Sequence, residues 1–204
     1  ELFTNVTYFN SAAKGRSETG YGDNNVMQKF VQWGHRELDM KELKSLYRMP
    51  DGSQATWNRV AWDDPSPNYS NNPYWSRYMN YQNDSRNRIY GNVGFSYKIA
   101  EFLKFQYKTN LDFFVDKQYE RNAVGSQEQS RYMEMSRQQA ELNHEFLLSF
   151  NKNITDFSFS ANVGSNLMNR RYEYVYGETD GGIAFPEFYN LKNSINPPVA
   201  YNKL

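Results

Sequence analysis

The sequence predicts an all-β chain: an antiparallel, up-and-down segment of a transmembrane β-barrel, with about five strands and long loops at one end. Three observations predict it. Apolar and polar residues alternate over long stretches, the connections are short at one end and long at the other, and aromatic residues gather toward the strand ends. Alternation alone fits a soluble antiparallel sandwich equally well, because that fold also hides one face of each strand. Strand length separates the two. The alternating stretches reach about 10 to 14 residues, which matches a tilted membrane strand, whereas globular strands average nearer ~5 or 6.

Taken in order, Glu1–Asn10 is a weak alternating strand with Leu2, Val6 and Tyr8 on one side. Ser11–Asn25 is rich in Gly, Ser and Asn and reads as loop. Val26–Met49 has helical spacing, through Val26, Phe30, Leu38, Leu43, Leu46 and Tyr47. Gly34 is placed to break it, and Asp39 with Glu42 fits a capping box before the second piece. Pro50–Ser85 is polar and aromatic, and Pro65, Pro67 and Pro73 exclude regular ladders there.

Arg88–Ile99 alternates again, with Ile89, Val93, Phe95, Tyr97 and Ile99 on one face. Ala100–Phe102 is a short turn. Leu103–Asp116 sets Leu103, Phe105, Tyr107, Leu111, Phe113 and Val115 against Lys104, Gln106, Lys108, Asn110 and Asp112. Lys117–Ser136 reads as polar loop. Arg137–Phe150 opposes Leu142, His144, Phe146, Leu148 and Phe150 to Glu141, Asn143, Glu145 and Ser149. Asn151–Asp156 is a compact turn, and Phe157–Leu167 extends as strand through "RRYEYVY" to Tyr176. Gly177–Leu204, with Gly181, Gly182, Pro186, Pro197 and Pro198, reads as a final loop. The expectation is one domain over 1–204, with strands near 1–10, 88–99, 103–116, 137–150 and 157–176. External loops are expected at 11–87, 117–136 and 177–204.

Composition narrows the function classes. Lys plus Arg and Asp plus Glu both number 23, so the chain has no electrostatic footprint for nucleic acid. Without cysteine there is neither a disulfide framework nor a thiolate metal site, and His35 and His144 are the only histidines. No cofactor is expected. Mean hydropathy is −0.89 and no run of 18 apolar residues occurs, which excludes a membrane-spanning helix but not a membrane barrel. The first residue, Glu1, already lies in a strand, so the ends of the chain are not expected to be a natural start and stop. Five strands cannot close a bacterial barrel, which needs an even number of at least about 8. The segment must therefore pair with further strands.

On the barrel reading Phe105, Tyr107, Leu111 and Phe113 face lipid, while Lys104, Gln106, Asn110, Asp112, Glu141, Asn143 and Glu145 line a watery lumen. His144 is the titratable group on the lipid side, expected near a rim or neutral. The loop aromatics Trp57, Trp62, Tyr69, Tyr74 and Trp75 suit stacking on sugar rings, capping the lumen or contacting a lid; packing of the loop on itself is the simpler use. Asp63, Asp64 and Asp51 offer carboxylate oxygens without EF-hand spacing. Glu141 and Glu145 read as solvated wall rather than an acid–base pair. No GxSxG, HExxH or P-loop pattern is present, so no catalytic residue is expected. Four Asn-x-Ser/Thr matches, starting at Asn5, Asn68, Asn83 and Asn153, are expected by chance in so asparagine-rich a chain.

The stretch "NPYWSRYMNYQNDSRNRIYGNVGFSYKIAEFLKFQYKTNLDFF" resembles the SusC/RagA-type TonB-linked outer-membrane transporters of Bacteroidetes. Asn72-Pro73-Tyr74-Trp75, the Asn83–Arg88 run and Arg88–Val93 carry the likeness. So do the following hairpin, the upstream "KFVQWGHRELDMKELK", and the downstream "SFSANVGSNLMNRRYEY" and "GGIAFPEFYNLKNS". The resemblance implies a TonB-dependent receptor of the bacterial outer membrane: a barrel of about 22 strands with an N-terminal plug, working beneath a SusD-like lipoprotein and importing glycans or peptides. It implies as partners that lipoprotein, TonB through the missing N-terminal region, outer-membrane lipid and the remaining strands of the same barrel. The alternative is a soluble surface β-sandwich that binds carbohydrate through Trp57, Trp62 and Trp75.

Overall fold

The computed structural model describes residues 1–203. They form one antiparallel sheet of six strands in the order β1-β2-β3-β4-β5-β6, each paired with its sequence neighbour. The strands are β1 (Leu2–Arg16), β2 (Tyr81–Ala100), β3 (Leu103–Asn122), β4 (Arg131–Ile154), β5 (Phe157–Ile183) and β6 (Ser194–Lys203). The up-and-down, all-β architecture agrees with the sequence reading. The sheet is not closed: β1 and β6 are its two edges.

Several boundaries differ from the expectation of five strands, and each difference has a physical reason. The polar stretches 81–87, 117–122 and 131–136 extend β2, β3 and β4 instead of forming loop. Their polar faces are held by cross-strand ion pairs, which satisfy a ladder without apolar alternation. Arg16 pairs with Asp84, and Arg131 with Glu178 (2.9 Å) and Glu120 (4.0 Å). At the base of the extensions Asp116 accepts from Arg86 Nε and Nη2 (2.5 and 2.7 Å) and from Arg137 Nε (3.0 Å), so one carboxylate ties three neighbouring strands. β5 runs on to Ile183 rather than ending near Tyr176. β6 was read as loop because of Pro197 and Pro198. The prolines sit where its register with β5 shifts between Glu178 and Asp180, a place that spares the ladder.

Both short turns lie at one end of the sheet, Glu101–Phe102 and Thr155–Asp156. The connections 17–80, 123–130 and 184–193 lie at the other. These replace the expected loops 11–87, 117–136 and 177–204.

Register assigns every side chain to a face, since directly paired residues share one. One row reads Leu2–Phe95–Tyr107–Phe146–Ser165, and the next reads Thr4–Val93–Thr109–His144–Leu167. The opposite face carries Asn5–Asn92–Asn110–Asn143 and, beside it, Tyr90–Asp112–Glu141–Arg170. Lys104, Gln106, Asn110, Asp112, Glu141, Asn143 and Glu145 therefore do share a single face. It is an ion-paired wall: Arg88 forks onto Asp112 (2.8 and 2.5 Å) and Asn110 Nδ2 donates to Glu145 (2.7 Å). His144 sits mid-row on the apolar face, not at a rim, with its Nδ1 2.7 Å from Tyr107 Oη. That hydroxyl supplies the partner an isolated imidazole would lack there.

No second layer covers the apolar face among the described residues. Val163 is 72% exposed, Leu167 64% and Phe146 41%. The buried apolar residues, Leu43, Trp75, Ala123, Met133 and Ile183, all lie at the loop end. A sandwich would need a second sheet across Phe105, Phe146 and Phe159, and the described residues form only the one.

Candidate functional site

The long connection 17–80 folds into a platform over the strand ends. Its helices are α1 (Val26–Trp33), α2 (Met40–Ser45) and α3 (Pro73–Tyr78). Gly34 ends α1 as expected, its N–H bonding to Phe30 O (3.1 Å). Asp39 Oδ1 caps α2 by accepting from Lys41 N and Glu42 N (2.8 and 3.2 Å). The sequence reading missed α3, yet its signal was present: Asn72 is the N-cap, accepting from Tyr74 N (2.9 Å), and Pro73 fills the first turn, where its missing N–H costs nothing.

The platform is held by buried amides rather than by an oily core. Asn72, 0% exposed, donates Nδ2 to Leu43 O and Ala55 O (both 2.8 Å), while its N–H donates to Gln54 Oε1 (2.7 Å). Gln54 Nε2 donates to Asn71 Oδ1 and to Gly125 O (both 2.8 Å), which ties the platform to loop 123–130. Asn80 completes the tie, donating to Asn24 Oδ1 (3.0 Å) and accepting from Ala123 N (2.8 Å). Arg121 anchors the third connection. Its guanidinium lies 3.8 Å from the Tyr81 ring centroid and 4.5 Å from that of Tyr189, and it donates to Met79 O (3.0 Å).

This framework opens a cavity of about 440 Å³ on the platform, walled by Tyr21, Trp33, His35, Trp57 and Tyr69. Its polar lining is Asp23, Lys29, Asn58, Ser70 and Gln127. His35 meets the Trp57 ring edge-on, with centroids 5.6 Å apart. Lys29 Nζ bonds Asp23 Oδ1 (2.7 Å) and donates to Tyr69 O (3.2 Å), so the two charges cancel locally. Asn58 Oδ1 accepts from Tyr69 N (2.7 Å), which sets the Tyr69 backbone.

The cavity gathers Trp57 and Tyr69 from the five loop aromatics the sequence singled out. Trp62 stands apart, 89% exposed. Tyr74 packs toward Tyr78, with centroids 6.0 Å apart. Trp75 takes the simpler use, packing within the loop platform: it is 1% exposed and donates Nε1 to Ser126 Oγ (2.9 Å). Tyr21, Trp33 and His35 went unnoticed because the signal lies in chain reversal, which brings 21–35 against 57–70 and leaves no local pattern.

The acidic candidates resolve into local turns. Asp51 Oδ1 accepts from Ser53 N and Oγ (3.0 and 2.6 Å), and Asp64 Oδ1 from Ser66 N (2.9 Å). These bonds hold both carboxyls below the usual range. No cluster of metal-ligating side chains occurs among the described residues.

Near the cavity, partial burial pushes the Glu128 carboxyl upward, and the charges of Asp23 and Glu18 push it the same way. A carboxyl raised in the folded state binds its proton more tightly there than in the opened loop. Its contribution to stability is full below the unfolded carboxyl range and is lost as pH rises through the folded value. Protection factors of amides in 17–30 and 123–130, taken against the intrinsic exchange rate at each pH, should therefore rise on acidification from neutral pH toward the carboxylate range, and Glu128→Gln should flatten that dependence. An unchanged slope in the variant would remove Glu128 as the cause.

No family model matches the chain, and no curated protein matches it either.

Proposed function

We propose that this chain is an internal segment of a TonB-dependent outer-membrane transporter that imports glycans or peptides beneath a SusD-like surface lipoprotein. The observation that carries the reading is a single-layer sheet whose uncovered apolar face backs an ion-paired polar face. From Leu103 to Val115 the apolar row of β3 covers about 40 Å of strand, or about 30 Å of membrane at the usual ~40° tilt. Its upper border coincides with the Arg171–Glu173 ion pair (2.5 Å) on the same face. Tyr97, Phe102, Phe105, Phe150 and Phe157 gather at the short-turn end, where an aromatic girdle belongs.

The unpaired edges β1 and β6 are intolerable in lipid and call for further strands of the same barrel. The platform over the loop end is the surface that a lid and incoming cargo meet, and gated import assigns no catalytic residue. The test uses the full-length protein. It should fractionate with outer membrane and migrate differently on gels before and after boiling, as a folded barrel does. A stable, cooperative, detergent-free monomer of this segment would overturn the reading.

A further inference from the structure

We propose that the platform cavity is a binding site for an uncharged sugar residue, with Trp57 as the stacking face and the Asp23–Lys29 pair and neighbouring amides as the hydroxyl-reading groups. The assignment rests on the import reading for its purpose, since cargo arriving from outside meets the loop face first.

Size and wall chemistry come first. A volume of about 440 Å³ lies in the range of small-molecule pockets and admits one or two pyranose rings. Aromatic faces suit the C–H surfaces of such rings, and the cavity presents Trp33, Trp57, Tyr21 and Tyr69 on its walls. Trp33 remains 50% exposed and Tyr69 69%, so these rings are not consumed by internal packing.

Charge then separates the ligand classes. An aromatic box with a carboxylate is the usual receptor for a cation. Here Lys29 already fills that role: it is bonded to Asp23 and sits 5.8 Å from the Tyr21 ring centroid. A second cation would meet Lys29, and an anion would meet Asp23 and the nearby Glu128 and Glu18. A neutral polyol meets neither penalty. An extended peptide is disfavoured for another reason. Such ligands are held by an open strand edge, whereas this cavity is walled by α1 and irregular loop.

Unspent hydrogen-bonding capacity completes the case. Asp23 is 6% exposed, and its Oδ2 has no partner. A buried acceptor left unmade is costly, and a ligand hydroxyl that displaces the packing over Oδ2 supplies the missing bond. Lys29 Nζ uses two of its three N–H donors, and Asn58 is bonded through Oδ1, leaving its amide N–H groups to a ligand.

The experiment is titration of the full-length protein in detergent, read by tryptophan fluorescence and calorimetry. The probes are neutral trisaccharides of glucose, mannose, xylose and galactose, with trialanine and trigalacturonate as counter-probes. At least one neutral trisaccharide should bind. Trp57→Ala should weaken it by about tenfold, the scale of one lost aromatic contact, Trp57→Phe should largely restore it, and Trp62→Ala should leave it unchanged. Binding of none of the neutral sugars, preference for trialanine or trigalacturonate, or equal affinity in Trp57→Ala would overturn the assignment. Gel migration before and after boiling shows that each variant is folded. A membrane-inserted protein that binds no sugar would sink this site and leave the barrel. Sugar binding by a detergent-free monomer of the segment would do the reverse.

Discussion

Phe146→Arg in the full-length protein is expected to block barrel assembly, while Asn110→Arg is expected to be tolerated. The two positions lie on neighbouring strands and on opposite faces of the sheet. Phe146 packs beside Tyr107, ring centroids 4.9 Å apart, in the middle of the apolar rows. A guanidinium there faces hydrocarbon and costs about 2–4 kcal/mol on the lipid side of a barrel. Asn110 donates to Glu145 (2.7 Å), which Lys108 Nζ also approaches at 3.6 Å. An arginine at 110 replaces an amide partner of Glu145 with a cationic one. The measurement is the fraction of protein in outer membrane that shifts on boiling. Equal assembly of both variants would invert or erase the assigned faces.

Asn72→Ala is expected to open the loop platform while leaving the sheet intact. The substitution removes the partner of Leu43 O, Ala55 O and Tyr74 N at once, in a site with no exposure. Buried groups left unpaired cost about 1–3 kcal/mol each, so a local loss of about 3 kcal/mol or more is expected. Asn72→Asp should do no better. It keeps the acceptor for Tyr74 N but sets a carboxylate against two carbonyl oxygens. Hydrogen exchange reads the result: faster exchange across 40–80, with β4 and β5 unchanged. Retained protection across 40–80 in both variants would show that Asn72 is not the hub of the platform.

The two predictions probe regions of different legibility. The faces of β2, β3 and β4 were readable because alternation is a period-2 property of the chain, and each central segment carries it over many residues. Ile89, Val93 and Phe95 fall opposite Phe113, Thr109 and Tyr107 as the pattern required. The strand extensions were not readable. In "QNDSRNR" and "KQYERN" both faces are polar, and only pairing shows that Asp84 meets Arg16 and that Arg131 meets Glu120 and Glu178 across neighbouring strands. β6 was concealed by its prolines, which a register shift in the ladder accommodates and a regular stretch does not.

In the platform the difficulty was of another kind. Asn72-Pro73 marked a helix start and Gly34 a helix end, both local signals. Whether a tryptophan is core or surface is not local. Trp75 and Trp57 share a loop and a residue type. Trp75 is enclosed by the meeting of α3 with loop 123–130, and Trp57 is left at the cavity wall.

The sequence by itself determined the strand class, the division of each central strand into an oily and a polar face, and the segregation of short turns from long connections, because all three follow from residue order within a few positions. Only the tertiary structure decided the sixth strand, the ion-paired extensions and the assembly of Tyr21, Trp33, His35, Trp57 and Tyr69 around one cavity. Those depend on which distant segments meet, and the buried amides of Gln54, Asn72 and Asn80 that fix the meeting are indistinguishable in sequence from the exposed ones around them.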